Sequence, residues 1–444
     1  TFFYIQDVEQ RKAWSTSYLP MRSEFDSYAA VFSQGRAEFR SRLHQIEAVT
    51  VIAVSPEEDV EVRHLTLTNL SMRPRVLEVT SYAEVVLQEP RAELAHPAFS
   101  NLFVETEAVT ASPILLCRRR PRVAGEELPW MCHMLMPSGV ATDDVSYETD
   151  RARFVGRGCS PAAPSALNKP GPLSGTTGAV LDPVVAIRHR INLAPGESVS
   201  LHAVTGIAPS REAILTMAER YQSRQMLDRV FDTAWTHSHV MLHQLRATEA
   251  TAELLGRLAG SIIYANPTYR GPASLVSRNR RGQSDLWRFG ISGDLPIVLV
   301  HIAESAGIEL ARQMIQAHAY WRNNGLSVDL VIWADAHAGY RQSLMDEIIG
   351  LVNTGTEAKV LDQPAGIFVR STDQLPEEDQ ILLQAVARVV LSDRSGTLAE
   401  QTERQLRAPS YPTLLRPSRY PGTPLPHEDI LPSRDLTHFN GTGG

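Results

Sequence analysis

Residues 278–294 read Arg278-Asn279-Arg280-Arg281-Gly282-Gln283-Ser284-Asp285-Leu286-Trp287-Arg288-Phe289-Gly290-Ile291-Ser292-Gly293-Asp294, the densest mixture of aromatic, guanidinium and carboxylate groups in the chain. Sugar sites are built from such groups: an apolar ring stacks on the C–H face of a pyranose, while carboxylates and Arg hold its hydroxyls in bidentate fashion. Trp287, Arg288 and Asp294 are therefore the candidate carbohydrate contacts. The alternative is an inter-domain loop that tucks Trp287 and Phe289 into a core and pairs its own charges, and packing is the outcome expected for Trp287, because aromatic residues in loops mostly serve it. Breaking a glycosidic bond takes two carboxyl groups, or one general acid and an external nucleophile such as phosphate. The chain has many acids, but no motif marks one of them, so no catalytic residue is assigned.

Other chemistries find less support. Gly171-Pro172-Leu173-Ser174-Gly175-Thr176-Thr177-Gly178 is rich in glycine, but it precedes a strand instead of opening a helix, and no Gly-Lys-[Ser/Thr] occurs. Gly290-Ile291-Ser292-Gly293-Asp294 stands before a strand, the wrong side for a dinucleotide turn. No nucleotide or other cofactor is expected. His239 and His243 are four apart on a predicted helix, with His237 nearby, but no His-Glu-x-x-His frame accompanies them, so they read as a polar helix face and no metal site is assigned. Arg118-Arg119-Arg120-Pro121-Arg122 reads as a solvated turn. Cys117, Cys132 and Cys159 are odd in number and contain no Cys-x-x-Cys pair, which encodes neither a disulfide framework nor a thiolate zinc site and suits a reducing compartment.

A net charge of −7 and a pI near 6.1 supply no global positive field for a nucleic-acid backbone or an anionic membrane surface, so neither is an expected partner. The 444 residues, 43% hydrophobic, suit two to four domains. Apolar runs fall far short of the ~20 residues that a membrane-spanning helix needs, and the chain is expected to be soluble by itself. It begins Thr1-Phe2-Phe3 and stops at Gly443-Gly444, and is read as a piece of something longer.

The elements that must position these groups fall into three patterns. Up to about residue 208, strands alternate with polar turns, as in a large antiparallel β-sandwich. Residues 46–54 and 60–68 form one strand pair around Ser55-Pro56-Glu57-Glu58-Asp59. Its second strand switches parity from Val60 and Val62 to Leu65 and Leu67, which suggests a bulge. Val185, Ile187, His189, Ile191 and Leu193, then Ala194-Pro195-Gly196-Glu197, then Val199, Leu201, Ala203, Thr205 and Ile207 read as a hairpin. Residues 209–264 are linker helices: Ser210 is a plausible N-cap, and Ile214, Met217 and Tyr221 share a face, as do Leu227, Val230, Phe231, Ala234 and Met241, and then Leu254, Leu258 and Ile262.

A connecting loop over 265–293 leads to a small α/β domain with a mainly parallel sheet over 294–396. Its pattern is strand 297–302, helix 308–323 closed by Gly325, strand 328–333, helix 340–352, strand 367–370, and a helix from Pro376 to about residue 391 with Glu377, Glu378 and Asp379 in its first turn. Residues 397–444 hold seven of the 28 prolines and read as an extended, poorly packed linker.

Four blocks carry a family resemblance: His96-Pro97-Ala98-Phe99-Ser100-Asn101-Leu102-Phe103, Glu148-Thr149-Asp150-Arg151-Ala152-Arg153-Phe154, Ser174-Gly175-Thr176-Thr177-Gly178-Ala179-Val180-Leu181-Asp182-Pro183, and Gly290-Ile291-Ser292-Gly293-Asp294-Leu295-Pro296. They resemble the C-terminal region of bacterial cyclic β-1,2-glucan synthases, in the glycosyltransferase 36 / glycoside hydrolase 94 phosphorylase family. The resemblance implies a galactose-mutarotase-like β-supersandwich, linker helices and an α/β insert, lying ahead of a second sandwich and a catalytic (α/α)6 barrel. In the family an Asp in an Arg-Asp-x-x-Gln-Asp type motif protonates the glycosidic oxygen while phosphate attacks the anomeric carbon. The nearest string here, Tyr340-Arg341-Gln342-Ser343-Leu344-Met345-Asp346, has Gln342 in place of the acid, so no catalytic residue is carried over.

The resemblance therefore implies a non-catalytic scaffold, with glucan contacts, whose partners are β-1,2-glucan and the downstream catalytic barrel of the same parent. It also implies a cytoplasmic place at the inner-membrane face through that parent. Two other readings stay open: a free-standing carbohydrate-binding or interaction module from a truncated gene, and an enzyme using Asp285 or Asp294 as its acid.

Overall fold

Strand-forming alternation governs the first 208 residues, and the computed structural model turns it into two antiparallel sheets. The structure describes residues 1–109, 114–123, 125–138, 145–335, 341–354, 360–372 and 375–403. Two compact units emerge, Thr1–Glu253 and Leu254–Gly444.

Within the first unit the strands are β1 (Phe2–Asp7), β2 (Lys12–Ser15), β3 (Ser27–Ser33), β4 (Arg36–Leu43), β5 (Ile46–Val54), β6 (Val60–Asn69) and β7 (Arg75–Glu84), followed by β8 (Val104–Val109), β9 (Ile114–Arg119), β10 (Trp130–Ser138), β11 (Val145–Asp150), β12 (Gly178–Ala179), β13 (Pro183–Leu193) and β14 (Ser198–Ala208). One sheet runs β11-β13-β7-β1-β2, and the other β12-β8-β9-β10-β14-β6-β5-β4-β3. Their facing sides share one core, in which Ile5, Leu77, Val79, Ile187 and Ile191 of the first sheet meet Leu65, Leu67, Leu135, Val199 and Leu201 of the second. Apolar surface removed from water at roughly 25 cal/mol per Å² is what holds such layers together.

Both sheets are also covered on their outer sides. Tyr4, Tyr82, Val184 and Ala186 bury against Phe154, Val155 and Leu167. On the other sheet Val60, Val62, Cys132, Met134 and Val204 bury under Ile214, Met217, Leu227 and Val230, from the helices Arg211–Arg220 and Arg224–Gln244, and under Tyr221, which caps the first of them. This double covering corrects the expected bulge in β6. Its register with β5 is unbroken from Ile46↔Asn69 to Val54↔Glu61. The parity switches because Val60 and Val62 face the helices, whereas Leu65 and Leu67 face the other sheet.

The expected hairpin over 185–207 is also corrected. Both strands exist, but β13 pairs with β11 and β7, whereas β14 pairs with β10 and β6 in the opposite sheet. The Pro-Gly turn therefore carries the chain across the sandwich. Asn69, fully buried, pins this corner: its side-chain amide donates to the carbonyls of Arg73, Leu193 and Ala194 at 2.8, 3.1 and 3.1 Å. The backbone N–H of Gly196, whose φ is +73°, donates to the Asn69 carbonyl at 2.8 Å. Only glycine takes that left-handed conformation without strain.

In the second unit, β15 (Ile297–Ile302), β16 (Asp329–Ala334), β17 (Ile367–Ser371) and β18 (Val389–Ser392) form a parallel sheet in the order β17-β16-β15-β18. The helix Ile308–Asn323 stands where the periodicity predicts it, ending before Gly325 at φ +80°. The last predicted helix is too long. It spans Glu377–Val386, and the following Val389-Val390-Leu391 run joins the sheet as β18 beside β15. β-branched residues fit the pleated, buried position better than a helix end. One face of this sheet buries Val298, Val300, Leu330 and Ile332 with Met314 and Trp321, and the other buries Leu299, Val331 and Phe368 with Leu286, Leu382 and Leu383. Of the predicted Pro-rich segment, Leu398–Thr402 is a helix with Leu398 buried; residues 404–444 lie outside the described residues.

Candidate functional site

Three of the four blocks that carry the resemblance converge within the first unit. Glu148, 1% exposed at the end of β11, accepts from the backbone N–H groups of Thr149 and Asp150 at 2.9 Å each and from the Ser174 hydroxyl. Thr149 and Thr106 hydroxyls lie 2.7 Å apart, and Thr149 donates to the Thr176 carbonyl at 2.9 Å. Asn101 donates to Asp182 at 2.9 Å, and the Arg151 guanidinium reaches Glu84 at 3.0 Å and Asp182 at 3.6 Å. Burial pushes the Asp182 carboxyl above its ordinary range, against the opposing charge of Arg151. Glu148 thus accepts both from its own strand and from the Ser174–Thr176 loop, and the network ties the three sequence blocks to one edge of the sandwich.

Of the expected solvated turn over Arg118–Arg122, residues 120–122 are exposed and outside any strand or helix, and the departure lies in the first two arginines. Arg118 and Arg119 belong to β9; Arg119 is 4% exposed and donates to Ser100 Oγ and to the Val86 carbonyl at 3.2 Å each. Guanidinium carbons of Arg119, Arg120 and Arg122 stand 5.6–5.9 Å from the Phe103 ring, within cation–π range. His239 of the predicted polar helix face bonds the Trp235 carbonyl and Glu249 at 2.9 Å each.

The aromatic and charged segment over 278–294 lies in the second unit, where Gln283–Phe289 forms a short 3-10 helix ending at Gly290, with φ +75°. Leu286 and Ile291 enter the core, and Phe289 packs partly against it. Trp287 does not: it is 65% exposed, and its indole N–H reaches the Ser292 carbonyl at 3.3 Å. The packing role expected for Trp287 is thus filled by its neighbour Leu286, since a 3-10 helix points adjacent side chains about 120° apart.

Arg288 is committed elsewhere. It pairs with Asp379, a fully buried carboxylate that also accepts from Arg281 at 2.6 Å. Arg278 reaches Glu377 at 2.6 Å, and Arg281 also pairs with Glu378. Burial raises the Asp379 carboxyl above its usual value, opposed by the charge of Arg281. Three arginines thus bind the acidic first turn of the Glu377–Val386 helix, where the helix dipole also favours negative charge. Asp294 accepts from the Gln283 amide at 3.0 Å and receives the N–H of no other side chain among the described residues. Of the three predicted contacts, Trp287 offers an open ring face, while Arg288 and Asp294 have structural partners. Asp379 escaped the sequence reading, which treated the Glu377-Glu378-Asp379 run only as a helix start.

Among the described residues no group of three or more His, Cys, Asp or Glu side chains is placed to hold a metal ion, and no helix is long and apolar enough to cross a membrane.

Comparison with known proteins adds the relationship. The chain is 29% identical over 405 residues to the cyclic beta-(1,2)-glucan synthase NdvB of Rhizobium meliloti (strain 1021), a match covering 91% of this chain and 14% of that protein. It is 26% identical over 211 residues to solabiose phosphorylase of Paenibacillus borealis, covering 48% of this chain and 26% of the relative. It is 25% identical over 226 residues to 3-O-beta-D-glucopyranosyl-beta-D-glucuronide phosphorylase of the same organism, with 48% and 26% covered. The chain thus spans between a seventh and about a quarter of these relatives. Residues 1–224, the two sheets and the first helix that covers the larger of them, match the glycosyl hydrolase 94 supersandwich domain, and the chain belongs to that family.

Proposed function

We propose that this chain serves as the non-catalytic supersandwich and α/β portion of a β-1,2-glucan-active enzyme, a scaffold that also contacts the glucan chain. The observation that carries it is the match of 91% of this chain to 14% of the cyclic beta-(1,2)-glucan synthase. The partners in this reading are the glucan and a catalytic barrel of the same parent, with a cytoplasmic place at the inner-membrane face supplied by that parent. The divisions at 1–208, 209–264, 265–293, 294–396 and 397–444 belong to the same proposal. The 65% exposure of Trp287 supports a direct sugar contact there, with Arg288 and Asp294 holding the segment that presents it.

Affinity electrophoresis of the chain in gels containing linear β-1,2-glucan is the test. Mobility is expected to fall as glucan is added, and to recover in the Trp287→Ala variant. Mobility unchanged at every glucan concentration would overturn the contact.

A further inference from the structure

The strand order β17-β16-β15-β18 places the first strand of the parallel sheet beside the last: the chain runs outward from β15 to β16 and β17, then crosses back to β18 on the other side of β15, so the strand order reverses there. In open parallel sheets ligands bind outside the carboxyl ends of the strands at this reversal. A cavity of about 550 Å³ lies there, lined by His301 of β15, Trp333 of β16, Asp335 and Thr372 just past β16 and β17, Ser392 of β18, and Gln384 of the helix above them.

Two of these side chains have unused polar atoms. Trp333 is 3% exposed, and its indole N–H has no hydrogen-bond partner among the described residues. Leaving a buried donor unmade costs about 1–3 kcal/mol, which demands an explanation. The Gln384 amide makes no hydrogen bond to any described residue, whereas its neighbour Gln380 is spent on the carbonyls of Thr372 and Leu375. Asp335 is fixed as an acceptor, taking His301 at 2.7 Å and Thr372 at 2.8 Å on one oxygen, with Arg394 3.6 Å from the other.

The charge of the occupant follows from Asp393. In a phosphate-binding sheet the N–H groups after the first strand are open to the anion. Here the Asp393 carboxylate already accepts from the N–H groups of Ala303 and Glu304 at 2.7 and 3.1 Å. Those two N–H groups are therefore not free for an anion, the Asp335 carboxylate is matched by Arg394, and the cavity offers mixed donors and acceptors over apolar walls formed by Leu299, Leu375 and Val390.

We infer that this cavity binds a neutral polyhydroxylated ligand of mono- or disaccharide size, whose hydroxyls engage the Trp333 indole N–H and the Gln384 amide. Its volume lies within the range of small-molecule sites, about 300–1,000 Å³. Trp287 does not line it, so the inference stands apart from the glucan contact proposed above.

The test is titration calorimetry of the full chain with D-glucose, with its β-1,2-linked disaccharide, and with glucose 1-phosphate. One of the neutral sugars is expected to bind saturably at one site, and glucose 1-phosphate more weakly. Trp333→Phe, which keeps the ring and removes the N–H, and Gln384→Ala, which does not disturb the core, should each weaken binding about tenfold, while Trp287→Ala leaves it unchanged. No saturable binding of either neutral sugar at about 10 mM, or an affinity in both cavity variants unchanged from that of the unsubstituted chain, would overturn the site. Tighter binding of glucose 1-phosphate than of glucose would overturn its assignment to a neutral ligand. Loss of binding in Trp287→Ala alone would move the sugar to the Trp287 surface and refute the cavity without touching the glucan proposal.

Discussion

His301 Nε2 lies 2.7 Å from Asp335 Oδ1, joining the ends of two neighbouring parallel strands. Burial pushes the Asp335 carboxyl up, but hydrogen bonds from His301 and Thr372, with the charges of His301 and Arg394, outweigh it and hold the group below its ordinary value of 3.8. A carboxylate whose folded pKa is depressed contributes stability that is complete above the unfolded value and is lost as pH falls through the folded one. Replacing Asp335 by Asn should therefore lower the melting temperature at neutral pH and flatten its decline below pH 3.8. Thermal melts of the two proteins on either side of that value decide it; parallel curves would refute it.

A second titration acts between the sheets of the sandwich. His133 is fully buried, with Ser81 at 2.9 Å and Thr205 at 3.0 Å, and burial followed by nearby positive charge lowers it to about 3. Its ring is neutral in the folded protein and charges readily only when unfolded, so stability is whole above the ordinary value of 6.5 and declines as pH falls from there towards 3. The slope from this one group is at most about 1.4 kcal/mol per pH unit. In a His133→Gln variant the loss between these limits should shrink, as read by urea unfolding across the range, even if the variant is less stable at neutral pH.

Trp287→Ala separates surface from core. Exposed substitutions generally change stability by less than about 0.5 kcal/mol, whereas removing a buried aromatic costs about 3–5 kcal/mol. An unchanged melting temperature with lost glucan retention is expected. A large drop in melting temperature would return Trp287 to a packing role.

Asn69→Ala should cost about 3 kcal/mol, because three carbonyls and the Ser71 donors lose their partner at a buried corner. Denaturant titration measures it. A cost below about 1 kcal/mol would mean that the Pro-Gly corner holds itself.

Incubated with linear β-1,2-glucan and phosphate, the chain by itself should release no glucose 1-phosphate. The nearest resemblance to the family's acid motif has Gln342 in place of the acid, and the Arg341–Thr354 helix that holds it belongs to the α/β unit. Loss of general acid catalysis alone costs about 10²–10⁴-fold. Detection of glucose 1-phosphate by a coupled assay would refute it.

Local pattern alone determined the element types. Period-2 alternation marked β5, β6, β13 and β14, and 3.6-period faces marked Ile214, Met217 and Tyr221 and the Ile308–Asn323 helix, because side-chain direction repeats with the backbone and one face must leave water. The blocks around Asn101, Glu148 and Asp182 also carried the family in the sequence. Which strands are neighbours was not local information. A Pro-Gly turn serves a hairpin and a sheet-to-sheet crossing equally well, and only Asn69, more than a hundred residues away, closes this one as a crossing. The parity switch in β6 likewise has two local explanations, and the helices over Val60 and Val62 choose between them.

The sites follow the same division. Composition put Trp287, Arg288 and Asp294 in one segment, but their roles depend on Asp379, whose buried carboxylate draws Arg288 inward, and on Leu286, which takes the core position and leaves Trp287 outside. The cavity beside Trp333 left no mark on the sequence, because its walls come from three strands, a helix and the segments that follow β16 and β17. Only the pairing of β15 with both β16 and β18 brings His301, Trp333 and Ser392 to one edge, since register across a sheet is set by the packing of both its faces and not by any one strand.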